Sequence, residues 1–306
     1  MFAYGPVPSR RLGKSIGVSP IPAKTCSYSC VYCQLGRTDH MQIERKSFSP
    51  KEDIFCDIEK VVNTSHADFI TFAGDGEPTL CKDLGWLIEN TKNVFKLPIA
   101  VITNGSLLYR EDVREDLKNA DVVMPTLDVG NQALFEILNR PFKTVTFEKM
   151  LQGLIDFRQD FRGQIWSEVM LVSGINDSVK ELNSIKDALA RTRPDRVYIT
   201  TPVRPPAENW VESPDPQNIL LAEEIFEKVV SITEQETGDF GVMEFSNARE
   251  AILEISARHP LRVEQALKIE RKFGESGIVE QLVNQSLLDK RSYRNTVYVM
   301  PNKSRL

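Results

Sequence analysis

Short apolar segments alternate with amphipathic segments over most of the chain, and this alternation limits the possible folds more than any other feature. The strand candidates are residues 68–73, 98–103, 121–128, 164–172 and 196–201. Each is apolar enough for burial on both faces, as parallel strands are. Helical patterns lie between them, an order typical of βα units.

The helical patterns cover roughly residues 80–95, 110–118, 131–139, 146–160, 178–191 and 216–236. A further helix is predicted to begin after Ser49, with Pro50 in the first helical position and Glu52 three residues past the cap. A first strand near residues 16–20 brings the count to six units. The sequence therefore predicts an α/β fold, an incomplete (β/α)6 TIM-like barrel with ligands at the carboxyl ends of its strands.

The pattern changes after Gly238. Short helices are predicted over residues 248–257, 263–273 and 276–288, followed by a basic hairpin and a strand over residues 296–300. The helices would share one small core, made of Ile252, Leu253, Ile255, Val263, Leu267, Val279, Leu282 and Val283. We therefore predict two domains, residues 1–238 as the barrel core and residues 239–306 as a small winged-helix-like domain.

Composition excludes several classes of protein. With 41% hydrophobic and 26% charged residues, the chain is not of disordered, collagen-like or coiled-coil type. No apolar run approaches the roughly 20 residues of a membrane span, and residues 1–11 lack the apolar centre of a secretory signal. We expect a cytoplasmic protein with no membrane partner. Two isolated cysteines, Cys56 and Cys81, are expected to be buried structural thiols.

Charge is distributed unevenly. The net charge is −5, yet residues 1–46 carry seven basic and two acidic side chains, and residues 258–306 carry ten and five. Each end is thus +5 and the middle is −15. This asymmetry permits an anionic partner at the ends, although a charged face is more often simply solvated.

Three cysteines, Cys26, Cys30 and Cys33, lie within eight residues directly after the first predicted strand. This spacing suits a metal centre better than disulfides in a reducing compartment. A 4Fe-4S cluster takes four ligands, so three thiolates would leave one iron open to a small molecule. A structural zinc site would need a fourth ligand, for which His40 is the nearby candidate. Cysteines without any ligand are the remaining alternative.

The motif over residues 26–33, Cys-Ser-Tyr-Ser-Cys-Val-Tyr-Cys, resembles the signature of the radical S-adenosylmethionine (radical SAM) superfamily, Cys-x3-Cys-x2-Cys with an aromatic residue before the last cysteine. The resemblance implies a 4Fe-4S cluster, SAM on the open iron, and Tyr32 beside the adenine. It also implies reductive cleavage of SAM to a 5'-deoxyadenosyl radical that abstracts hydrogen from substrate, with an electron donor such as flavodoxin or ferredoxin.

A glycine-rich segment, Gly-Asp-Gly-Glu-Pro, covers residues 74–78 between a predicted strand and a helix. Glycine allows backbone to approach a ligand closely, and a carboxylate can pair with an ammonium group. Superfamily members have Gly-Gly-Glu-Pro at the last four of these positions, in the loop that holds the methionyl amino group. The resemblance therefore implies a SAM site at Gly74, Asp75, Gly76 and Glu77, with Asp75 replacing a glycine. A routine strand-to-helix turn is the alternative.

Asn104 and Asp128 follow the next two strands and can form hydrogen bonds from rigid strand ends. By resemblance they contact the ribose or the methionyl carboxylate of SAM. The alternatives are a plain turn at Asn104 and a helix cap at Asp128.

Glu168 and Arg204 are charged residues on or just past otherwise apolar strands. A charge in such a place is unusual unless it is paired or functional. The two are candidate catalytic residues that face the substrate in the barrel mouth, and mutual pairing is the alternative.

Several further segments resemble the branch of wyosine-base synthases, enzymes named for remodelling a guanine in transfer RNA. They are residues 8–13, 32–36, 74–80, 139–141, 169–177 and 201–206. The transfer RNA enzymes of that branch carry further cysteines before the signature, whereas no cysteine precedes Cys26 here. RNA and a peptide or protein therefore both stay open as substrates.

The C-terminal segment has three alternative roles. A winged helix with Lys290, Arg291 and Arg294 on its hairpin can bind phosphates, dock a peptide or protein, or serve only packing or dimerisation. The alternative to a radical enzyme is a non-catalytic iron-sulfur or zinc protein that binds nucleic acid through this domain.

Overall fold

The computed structural model of the chain describes residues 1–226 and 229–302. In chain order its elements are β1 (Ala3–Ser9), β2 (Gly13–Val18), β3 (Thr25–Cys26), β4 (His40–Met41), α1 (Lys51–Thr64), β5 (Phe69–Phe72), α2 (Leu84–Val94), β6 (Ile99–Thr103), α3 (Glu111–Leu117), β7 (Val122–Pro125), α4 (Gln132–Leu138), α5 (Phe147–Asp160), β8 (Gln164–Met170), α6 (Val179–Thr192), β9 (Arg196–Thr200), α7 (Pro216–Phe226), β10 (Val229–Ile232), α8 (Ala248–Arg258), β11 (Leu261–Arg262), α9 (Val263–Lys272), α10 (Ile278–Asn284), β12 (Leu288–Tyr293) and β13 (Thr296–Pro301). None of the described helices is long and apolar enough to cross a bilayer.

The central sheet contains eight strands in the order β1, β2, β5, β6, β7, β8, β9 and β10. β1 runs antiparallel to β2, and all the other neighbours are parallel. Helices α1 to α7 pack through one large apolar core against the sheet, which curls into a partial barrel. The predicted α/β partial barrel is confirmed, and its sheet has one parallel strand more than the six that the sequence indicates.

An aromatic floor closes the inside of the barrel near the amino ends of its strands. The Trp166 ring lies 6.5 Å from the Phe69 ring and 5.9 Å from the Tyr198 ring, measured between centroids. Leu12, Ala100, Val122 and Met124 belong to the same buried cluster. Since this end is filled by apolar side chains, space for a ligand remains at the carboxyl ends of the strands.

The helix predicted over residues 216–236 is wrong in its second half. α7 ends at Phe226, and β10 pairs with β9. Residues 227 and 228, inside the predicted helix, lie outside the described residues. The β-branched residues Val229, Val230 and Ile232 favour a strand, and their pairing covers the open edge of β9.

Two expectations about the first helix are also wrong. Pro50, and not Ser49, is the N-cap, because its carbonyl oxygen accepts from the Ile54 amide and so closes the first turn. Cys56 lies on the outer face of α1 and is exposed, whereas Cys81 is buried as expected.

The C-terminal segment has its own buried core, built by α8, α9, α10 and a three-stranded sheet in the order β11, β13, β12. Most of the predicted core residues take part, but Leu267 is 41% exposed. The helix predicted over residues 276–288 ends at Asn284, and Leu288 opens β12. This segment packs on β1, where the Gly241 amide donates to the Pro6 carbonyl at 2.7 Å. The boundary at residue 238 and the winged-helix-like assignment stay predictions.

Candidate active site

A cavity of about 360 Å³ lies at the carboxyl ends of the barrel strands, and the three clustered cysteines line it. Cys26 ends β3, and Cys30 and Cys33 follow in a loop that is tightened by a hydrogen bond from the Cys33 amide to the Cys30 carbonyl (3.1 Å). We call Cys26, Cys30 and Cys33 the cysteine wall of this cavity.

Burial favours the protonated thiols of Cys26 and Cys30. It raises the pKa of the Cys26 thiol to about 12, with a further contribution from Glu77, and it raises the pKa of Cys30 well above its usual value. The Tyr28 amide and the Asn104 side-chain amide each donate to the Cys26 sulfur at 3.4 Å. Metal ligands of this kind bind as thiolates, so cation binding would release protons here.

The donor set of the cysteine wall, three thiols, is the kind that binds an iron-sulfur cluster. In residues 1–226 and 229–302, no three His, Cys, Asp or Glu side chains converge as the ligands of one ion would. His40, the candidate fourth zinc ligand, is exposed on β4.

The glycine-rich loop is interlocked with the strand that carries Cys26. A side chain at Gly76 would place its Cβ 1.8 Å from the Thr25 carbonyl oxygen. The Glu77 amide donates to that same oxygen at 3.0 Å, and the Lys24 amide donates to the Asp75 carbonyl at 2.5 Å. The close approach requires glycine at position 76, and it brings residues 74–77 to the cavity beside the cysteine wall.

Glu77 is 1% exposed and accepts four hydrogen bonds. Its Oε1 accepts from the Thr79 amide (3.0 Å) and from the Thr79 and Thr103 hydroxyls (2.6 Å each), and its Oε2 accepts from the Asn104 amide (2.7 Å). Burial still raises the pKa of Glu77, against the effect of these bonds. A carboxylate oxygen with a single donor keeps capacity for another, so Oε2 can receive a ligand cation.

Asp75 faces the C-terminal segment. Its Oδ2 accepts from Arg258 Nε at 3.3 Å, and its amide donates to the Ser19 hydroxyl. Burial raises the pKa of Asp75, and Arg258 opposes that shift. Arg258 also lies over the Tyr4 ring, 4.9 Å from its centroid. The Asp75 carboxylate, which we predicted to lie in the SAM site, is therefore already paired with Arg258 of α8.

Asn104 reaches the cavity as predicted for a strand end. Its side-chain amide donates to the Ser27 hydroxyl at 2.9 Å and to the Cys26 sulfur, and its Oδ1 accepts from the Ser106 amide at 2.9 Å. Asn104 therefore connects the glycine-rich loop, through Glu77, to the cysteine wall.

Asp128 lies behind the cavity. It is 1% exposed, and its Oδ2 accepts from the Tyr32 hydroxyl (2.5 Å) and the Asn139 side-chain amide (2.8 Å), while its Oδ1 accepts from the Met170 amide (2.8 Å). Burial raises the pKa of Asp128 to about 6. Tyr32 lines the cavity, so Asp128 acts on it through Tyr32.

Glu168 and Arg204 both line the cavity, but they do not pair with each other. Glu168 pairs with Arg11, while Arg204 donates to Glu236 Oε2 at 2.6 Å and to Gln34 Oε1 at 2.8 Å. The alternative of a mutual pair is wrong, because each of the two side chains pairs with another residue.

Five residues near the cavity were missed at the level of sequence: Arg10, Arg11, Glu236, Arg258 and His259. The adjacent arginines stand in the segment over residues 8–13 that we noted for its resemblance, and a pair of cations in a turn before the cysteines was their signal. The other three lie far along the chain and have no local signal.

The basic hairpin of the C-terminal segment is occupied by contacts with the protein itself. Lys290 pairs with Glu280, and Arg291 donates to the Asn209 side chain. Arg294 donates to the Ser213 hydroxyl at 2.9 Å. Two of the three cations that we predicted to grip phosphates thus hold the hairpin against residues 202–213.

Comparison with known proteins gives one family. The sequence model of the radical SAM superfamily matches residues 21–184. A UPF0026 protein of Methanocaldococcus jannaschii is 39% identical over 99% of this chain and 97% of its own length. The structure of Streptococcus suis SuiB bound to S-adenosylmethionine has a TM-score of 0.53 at 15% identity, covering 70% of this chain and 49% of SuiB. A radical SAM methyltransferase of Sphaerobacter thermophilus also gives 0.53, at 14% identity and with coverages of 73% and 67%. At such identities the two structures indicate a shared fold.

Proposed function

The chain belongs to the radical SAM superfamily, and on that basis we propose that it cleaves S-adenosylmethionine reductively and abstracts hydrogen from a substrate. Enzymes of this superfamily use a 4Fe-4S cluster and SAM. We assign the cluster to Cys26, Cys30 and Cys33. When bound, it would supply the electron that releases the 5'-deoxyadenosyl radical from SAM.

One observation carries this proposal. Three thiols, a glycine-rich loop and a strand-end amide line the same cavity, although residues 26–33, 74–77 and 104 come from three separate βα units. A buried thiol cluster next to a buried acceptor such as Glu77 is an arrangement in which perturbed groups serve binding or chemistry.

Each side chain then has a definite task. Oε2 of Glu77 would accept a hydrogen bond from the methionyl ammonium group. The positive charge of that group would offset the burial that raises the pKa of Glu77. Asn104 would hold the ribose or carboxylate, and Tyr32 would lie beside the adenine. Asp128 is a positioning residue, because its carboxylate contacts Tyr32 and not the cavity.

Glu168 and Arg204, which line the cavity beside the cysteine wall, would face the substrate. The proposed substrate is RNA or a peptide. The proposed electron donor is flavodoxin or ferredoxin, and the proposed location is the cytoplasm. The hairpin contacts of Arg291 and Arg294 weigh against the nucleic-acid-binding alternative.

The test uses anaerobically purified and reconstituted full-length protein. We expect a brown protein that converts SAM to 5'-deoxyadenosine under dithionite. In Glu77→Ala the iron should remain and the SAM affinity should fall at least about tenfold, since a charged hydrogen bond is lost. Glu224→Ala, an exposed glutamate of α7, is the control.

Two results would count against the proposal. A colourless protein with one zinc per chain would favour the binding protein over the enzyme. SAM affinity unchanged in Glu77→Ala would leave Glu77 with only its structural bonds to Thr79, Thr103 and Asn104.

A further inference from the structure

Three arginines line the same cavity as the cysteine wall, and we call Arg10, Arg11 and Arg204 the arginine wall. All three line the 360 Å³ cavity and also a neighbouring cavity of about 190 Å³. Arg10 and Arg11 come from the turn between β1 and β2, and Arg204 comes from the segment after β9. The first and last parts of the barrel therefore supply one cationic surface.

The arginine wall carries more positive charge than its carboxylate partners can balance. Arg11 pairs with Glu168, and Arg204 pairs with Glu236. Arg10 donates to the backbone carbonyls of Ile232 (2.9 Å) and Glu234 (3.0 Å). These three cations thus face two carboxylates, and Glu236 is also shared with Arg262.

His259 adds no charge to this surface at neutral pH. Its Nε2 lies 3.1 Å from Arg204 Nη2 and 3.2 Å from Glu236 Oε1. Burial, followed by repulsion from Arg204, lowers the pKa of His259 to about 4. The excess of one positive charge therefore persists.

Two of the three guanidinium groups, those of Arg11 and Arg204, are largely held out of water. Burial lowers the pKa of Arg11 to about 9, with added repulsion from Arg10 and Arg204, and burial also lowers the pKa of Arg204. The Nε atoms of Arg11 and Arg204 are buried and have no acceptor among the described residues. Burying like charges with unsatisfied hydrogen-bond donors costs free energy, and a bound anion would reduce that cost.

We propose that the substrate presents a carboxylate or phosphate group to the arginine wall. Guanidinium groups bind planar or tetrahedral oxyanions through paired N–H donors. Such a group would fix one end of the substrate while its reacting carbon faces the cysteine wall. This inference rests on the proposed function, since it assigns the substrate side of the same cavity.

The experiment measures anion binding to the full chain, with and without a reconstituted cluster. Thermal unfolding and calorimetry are followed with inorganic phosphate and with acetate, against sodium chloride at equal ionic strength. We expect specific stabilisation by at least one anion, with phosphate and acetate distinguishing a phosphate ester from a carboxylate.

Two variants locate the binding site. Arg11→Gln combined with Glu168→Gln removes the cation without leaving a buried carboxylate alone, and Arg10→Gln removes a cation whose hydrogen bonds go to the backbone carbonyls of Ile232 and Glu234. Each should weaken anion binding at least about tenfold. Arg191→Gln, which breaks a surface pair with Glu148, is the matched control and should bind as the wild type does.

Failures of the two proposals are distinguishable. If both anions act no more than chloride, or bind equally to the variants and the wild type, the anionic substrate is ruled out even when SAM is cleaved. If the anions bind at the arginine wall but no SAM cleavage occurs, the proposed function fails while the anion site stands.

Discussion

The cysteine wall and the arginine wall face the same cavity but are built over very different distances in sequence. Cys26, Cys30 and Cys33 lie within one loop. The arginine wall joins residues 10, 11 and 204, and its carboxylate partners are residues 168 and 236. One wall is specified by a local motif and the other only by the tertiary fold.

The walls also differ in what stabilises them. Backbone interlocking dominates around the cysteine wall, where Gly76 permits contact with the Thr25 carbonyl. Buried ion pairs dominate around the arginine wall, with Glu236 accepting from Arg204, Arg262 and Gln265. Steric fit therefore dominates the packing around the cysteine wall, and electrostatic interactions dominate around the arginine wall.

The largest effect is expected at the cysteine wall itself. Cys30→Ala leaves two thiols, too few to hold a cubane, so iron should fall from about four per chain to near zero. Iron and sulfide analysis after reconstitution measures this loss. Cys56→Ala, at an exposed cysteine of α1, should keep full iron content. Four irons with intact SAM cleavage in Cys30→Ala would remove the cluster from this loop.

A second substitution tests whether sterics control this region. Gly76→Ala places a methyl group against the Thr25 carbonyl, and we expect a loss of about 2–4 kcal/mol in unfolding free energy and weaker SAM binding. Gly174→Ala is the matched control, because Gly174 has a φ of +70° but open space around it, so about 1 kcal/mol of strain is expected. Equal losses in chemical denaturation would show that the close approach is unimportant.

The third effect concerns the response of stability to acid. His259 has its pKa lowered to about 4 in the folded chain, so between pH 6.5 and 4 the unfolded chain binds a proton that the folded chain excludes. The contribution of His259 to stability falls as the pH falls through this window, by about 3 kcal/mol. The unfolding free energy of His259→Gln, taken relative to that of the wild type, should therefore rise as the pH falls from 6.5 to 4, measured by chemical denaturation.

Asp128, behind the cysteine wall, should respond in the opposite direction. Its pKa is raised to about 6, so the folded chain holds a proton that the unfolded chain releases above its usual value of 3.8. The stability contribution present at pH 3.8 is lost as the pH rises to about 6. The unfolding free energy of Asp128→Asn, taken relative to that of the wild type, should therefore rise as the pH rises from 3.8 to 6. Variants that both follow the wild-type curve would mean that the two walls do not differ in their acid response.

What could be predicted from sequence follows the same division. The cysteine motif, the glycine-rich loop and Asn104 could be identified from their resemblance to the radical SAM superfamily, and their positions at the ends of consecutive strands predict that they lie together at one edge. The partners of Glu168 and Arg204 could not be identified, because ion pairs between residues far apart leave no periodic pattern. The sequence pattern at β10 is compatible with a helix, because Val229, Val230 and Ile232 also fit a helical face. Pairing with β9 is what makes this segment a strand.

The contacts of α8 with the barrel have a consequence for synthesis. Arg258 and His259 reach Asp75 and Arg204, so a nascent chain that has already formed β1 to β9 still lacks side chains at the edge of its cavity. They arrive only once translation has passed residue 259. The side chains of Arg258 and His259 are therefore synthesised after the strands that form the rest of the cavity.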